Sequence, residues 1–86
     1  MISEKKRLQI ANICYANVAC EFAMFTNPKN RGPNFTWERF IERCEESADL
    51  WMMVNRVCGP KQTINDTARQ FAREISTTLV ERATEV

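Results

Sequence analysis

Apolar residues recur along this chain at helical spacing in three blocks, and two clusters of helix-breaking residues separate them. The first cluster, "TNPKNRGPNF" at residues 26–35, holds two prolines, one glycine and three asparagines, and reads as a loop. The second, "CGPKQT" at residues 58–63, pairs Gly59, suited to the left-handed position past a helix end, with Pro60, which prevents continuation. Helices are therefore predicted over about residues 3–25, 37–57 and 64–83. Short connections favour antiparallel neighbours, so residues 1–86 are expected to form one all-α domain, an up-down-up three-helix bundle.

The faces of the three helices differ. In the first, with Ser3 as its N-cap, Leu8, Ala11, Tyr15, Val18 and Phe22 share one side, and Ile10, Ile13, Cys20 and Met24 form a second apolar strip. From Ile10 to Phe25 only Asn12, Asn17 and Glu21 are polar, so two neighbours leave one flank over for a second subunit or another protein. The second helix is expected to start at an N-cap Thr36, with Phe35 and Phe40 as a hydrophobic staple. Its main stripe is Trp37, Phe40, Ile41, Cys44, Ala48, Trp51 and Cys58. Leu50, Met53 and Val57 lie on a different side, roughly 140° away, and "LWMMV" at 50–54 reads either as core or as an exposed patch rimmed by Glu46, Asp49 and Arg56. In the third helix "TIND" suggests a capping box, Thr63 with Asp66. Ile64, Ala68, Phe71, Ile75, Leu79 and Ala83 then line one narrow stripe opposite Arg69, Gln70, Arg73, Thr77 and Glu81.

Composition removes several classes of chemistry. The 86 residues include no histidine, so Ser-His and Cys-His nucleophile pairs and His-containing zinc sites are excluded. The net charge of +1 supplies no global field toward nucleic acid or anionic lipid. Cys14, Cys20, Cys44 and Cys58 form no C-x-x-C pair and read as reduced, mostly buried thiols, which points to a cytoplasmic compartment. The basic start "MISEKKR" precedes an apolar stretch, but Gln9, Asn12, Asn17 and Glu21 interrupt it. Neither a secretion signal nor a membrane span is expected.

Two short stretches resemble known families. Glu38, Glu42, Glu45, Glu46 and Asp49 fall within about a 100° arc of one helix. Within that stripe "EESADLW" resembles half of the magnesium site of all-α nucleotide pyrophosphohydrolases, with Glu46 and Asp49 standing as the E-x-x-D pair. The resemblance implies a carboxylate-held magnesium ion and nucleotide cleavage. The E-x-x-E pair of an earlier helix is missing, since Glu4 and Glu21 stand alone. "TINDTARQFAREIST" resembles the helix-turn-helix start of lac-repressor-type regulators, through Thr63, Ile64, Asp66, Ala68, Arg69, Ile75, Ser76 and Thr77. That resemblance implies DNA binding with Arg69 and Arg73 on the exposed face. Ala72 replaces the glycine of the turn, however, and the apolar stripe runs straight through, as in one continuous helix.

The sequence thus favours a non-enzymatic protein-binding module, an adaptor or an inhibitor working by occlusion. Small size without a catalytic motif is also what phage-encoded inhibitors show. The expected surface comprises Ile10 and Ile13 on the first helix and Leu50, Met53 and Val57 on the second, with Glu46 and Asp49 at its rim. Its partner would be another protein or a second copy, with nucleic acid as the alternative. No cofactor or metal is called for.

Overall fold

The computed structural model describes residues 2–30, 32 and 35–85. Four helices follow one another: α1 (Glu4–Thr26), α2 (Trp37–Glu45), α3 (Ala48–Cys58) and α4 (Gln62–Thr84). The architecture is the all-α bundle expected, with α2 and α3 together in place of the single second helix. The two long helices pack on each other, and each also packs on α2 and on α3.

Local chemistry sets the ends. Ser3 caps α1 by accepting from the Lys6 N–H, and Thr36 caps α2 by accepting from the Arg39 N–H. Gly59 ends α3 with φ 91°, a left-handed backbone that a side chain would strain. Helix α4 begins earlier than predicted, with Lys61 as N-cap and no side-chain cap bond. Thr63 therefore lies inside the helix, and Asp66 accepts from the Gln62 side chain at 2.8 Å instead of closing a capping box. Phe35 packs against Phe25 and Trp37, with ring centroids 5.8 and 5.1 Å apart. Together with Phe22 and Phe40 these rings join the end of α1 to the start of α2.

The second predicted helix breaks at Glu46–Ser47. Glu46 leaves the helical region (φ −107°, ψ 12°), and the buried Ser47 hydroxyl accepts from the Leu50 N–H at 3.3 Å to start α3. The break resets the helical phase. Phe40 and Cys44 face the core from α2, then Leu50, Val54 and Cys58 face it from α3. Ala48, predicted inside, is exposed, and Trp51 moves to a flank.

On α1 the buried row is Ile10, Cys14, Val18 and Glu21, which runs between the two strips read from the sequence. On α4 it is Ile64, Ala68, Ala72 and Ser76, with Phe71, Ile75, Leu79 and Val80 packed beside it, while Ala83 is exposed. Alanines in that row bring α4 close to α1, and the Cys14 thiol donates to the Ala68 carbonyl at 3.4 Å.

The bundle is flat. Its extents are 40 × 25 × 16 Å and its radius of gyration is 13.4 Å, against about 12 Å for a compact domain of this length. It exposes 6093 Å², whereas a folded monomer of its mass exposes about 5,200 Å².

Candidate functional site

Several charged side chains are engaged within the fold. Glu21 points inward from α1 and accepts from the Arg43 Nε at 2.9 Å, while the Arg43 guanidinium lies 5.3 Å from the centre of the Phe25 ring. Arg73 donates to Glu45 at 3.1 Å, which ties α4 to the end of α2. Arg69 covers the Trp51 ring at 5.5 Å, and Arg7 covers the Phe71 ring at 5.5 Å. The two arginines of the DNA-binding reading thus hold α4 against α2 and α3. Helix α4 is unbroken from Gln62 to Thr84, with Ala72 fully buried, so no helix-turn-helix is formed.

The acidic stripe is likewise divided. Glu46 is the C-cap of α2 and Asp49 lies in the first turn of α3, so the E-x-x-D spacing does not fall on one helix. Both line an open cleft of about 910 Å³ together with Glu42, Arg39 and Arg43, and Phe25 and Phe35 form part of its wall. Among the described residues no group of three Cys, Asp or Glu side chains could hold a metal ion. Burial raises the Cys14 thiol to about 12. It does the same to Cys44, with Glu21 adding to the rise. These two thiols are core residues and not nucleophiles.

The binding surface read from the sequence needs two corrections. Ile10 and Leu50 are fully buried and belong to the core. Ile10 is buried because the inward row of α1 passes through it, and Leu50 because the break at Ser47 turns it inward. Ile13 is half-buried, whereas Met53, Val57, Glu46 and Asp49 are exposed as expected. Met52 joins Met53 and Val57 on the outside of α3.

A larger surface lies on α1. With Glu21 turned inward, every exposed residue from Leu8 to Met24 is uncharged. Leu8, Asn12, Ala16, Cys20 and Met24 form one row at four-residue spacing, and Tyr15, Ala19 and Ala23 form the next. Leu8 is 58% exposed, Tyr15 63% and Met24 50%. Tyr15 also borders a second hollow of about 350 Å³ whose far wall on α4 is Glu74, Ile75, Thr78, Leu79 and Arg82. The signal was present in the sequence, since Glu21 is the only charge between Arg7 and Lys29. Reading it required knowing that Glu21 faces the core.

Among the described residues no helix is long and apolar enough to cross a membrane. No protein-family model, no curated protein and no solved structure matches the chain.

Proposed function

We propose that the chain is a non-enzymatic protein-binding module that acts through the outer face of α1. The observation that carries this reading is the absence of charge over that exposed half-helix, about 25 Å long at 1.5 Å per residue. Water-facing helices usually carry charged residues on the outside, and an exposed face on which only Gln9 and Asn12 interrupt apolar or small side chains and the Tyr15 ring supports an interaction site. Tyr15 and Met24 are side chains enriched at interfaces, because one joins an apolar ring to a hydroxyl and the other adapts its shape. An adaptor, or an inhibitor that occludes its target, needs such a surface and no catalytic group.

The test compares proteins retained from source-cell lysate by the immobilised wild-type chain and by two surface variants. Ala19→Glu places a charge in the middle of the α1 face, and Met53→Glu places one on α3. Loss of retention with Ala19→Glu but not with Met53→Glu is the expected result. Equal retention by all three overturns the reading.

A further inference from the structure

We infer that the occupant of the α1 face is a second copy of this chain, packed α1 against α1 across a two-fold axis. The inference rests on the protein-binding reading and names its partner. Area supplies the first argument. The chain exposes 6093 Å², about 900 Å² more than expected for its mass. That surplus is close to the ~800 Å² that each partner contributes to a standard interface.

Shape supplies the second argument. A two-fold contact needs a patch that complements itself. The row Leu8, Asn12, Ala16, Cys20, Met24 reads bulky at both ends and small at its centre. With the axis beside Ala16, Leu8 of one copy meets Met24 of the other, and Asn12 meets Cys20. The small side chains at the crossing let the two backbones approach closely. Because the row follows the four-residue ridge of the helix, interdigitated packing crosses the two helices at about 50°.

Charge is consistent with that steep crossing. Lys5, Lys6 and Arg7 precede the face and the exposed Lys29 follows it. A shallow pairing, parallel or antiparallel, would set these basic ends of two copies side by side, whereas a steep crossing holds them apart. Association is therefore not weakened by salt, unlike an encounter driven by opposite charges.

Sedimentation equilibrium of the full chain, from micromolar to millimolar and at low and high salt, tests the inference. The expected mass rises from one chain to two, with equal or tighter association at high salt. A maleimide should modify Cys20 more slowly at millimolar than at micromolar protein, because the contact covers it, while Cys14, Cys44 and Cys58 are buried at either concentration. Ala19→Glu should weaken association at least tenfold while melting like the wild type at concentrations where both are single chains, and Met53→Glu should leave association intact. A mass of one chain throughout overturns the inference, as does a dimer that Ala19→Glu leaves unaffected. If the chain is monomeric yet retains a lysate protein that Ala19→Glu loses, the second copy is excluded and the protein-binding reading stands. If the chain is monomeric and retains nothing, both fall.

Discussion

Glu21 and Arg43 join α1 to α2 through a 2.9 Å bond in which the carboxylate is 12% exposed and the guanidinium more than half exposed. Arg43 also rests on Phe25, so its removal leaves a nearly buried carboxylate without its ion-pair partner and bares an aromatic ring. Arg43→Ala is expected to cost about 2 kcal/mol, below the value for a fully buried pair because water reaches the arginine. Thermal unfolding should show a fall of roughly 10 °C for a domain of this size. Replacing both residues with leucine should recover most of the loss. If Arg43→Ala melts like the wild type, the bond contributes nothing in solution.

Leu50 and Met53 were assigned to one surface by the sequence, and mutation should separate them. Leu50 is fully buried and Met53 is 45% exposed. Leu50→Ala removes core contacts and opens a cavity, at an expected cost of about 3 kcal/mol. Met53→Ala should change stability by less than about 0.5 kcal/mol. Urea unfolding with matched slopes measures both. Equal effects would mean that α3 does not present these faces as described.

The same pair shows how much of the fold was legible in the sequence. The helix-forming blocks and both breaks were readable because proline, glycine and asparagine act locally. So was the cap at Thr36, which needs only its own hydroxyl and the Arg39 N–H. The break at Ser47 was not read, because, of the stripe roughly 140° from Phe40 and Cys44, only Leu50 turns inward, while Met53 and Val57 stay exposed. A phase change can mean a second exposed face or a broken helix. Only packing decides, since Leu50 and Val54 reach the core once the helix restarts. The place of Glu21 was not legible either. A carboxylate in an apolar run reads as a solvent-facing position, and its partner Arg43 is 22 residues away in the chain. The outer face of α1 was legible in part, since the sequence leaves one flank of this helix over, but that flank is uncharged only when Glu21 is placed inside.

Two candidate N-caps can be compared directly. Ser47 accepts from the Leu50 N–H, so Ser47→Ala should cost about 1 kcal/mol. Thr63 lies inside α4, and its carbonyl accepts from the Thr67 hydroxyl at 2.8 Å. A backbone carbonyl survives substitution, so Thr63→Ala should be neutral or slightly stabilising, alanine being the better helix former. Melting temperatures of the two variants decide the matter. A larger loss at Thr63 would restore the capping box read from "TIND".

The buried thiols set the alkaline limit of the fold. Cys14 and Cys44 are pushed up to about 12 from an ordinary 9.0, chiefly by loss of water around them. In the unfolded chain they ionise near 9, while in the fold they stay neutral. The folded state binds the extra protons, so the contribution of these two thiols is constant below about pH 9 and falls as pH rises from there toward 12. Each thiol then contributes a loss of about 1.4 kcal/mol per pH unit. Melting temperature should be flat between about pH 7 and 8.5 and decline steeply by pH 10, and the decline should flatten when both residues are alanine. The unfolding baseline of that variant is lower, so the slope against pH is the diagnostic quantity. Thiol titration gives an independent reading. At low protein concentration, where single chains predominate, Cys20 should react at once, and Cys14, Cys44 and Cys58 only on unfolding. A slope unchanged by the double substitution, or rapid native reaction of more than one thiol, would show that the core does not enclose Cys14 and Cys44.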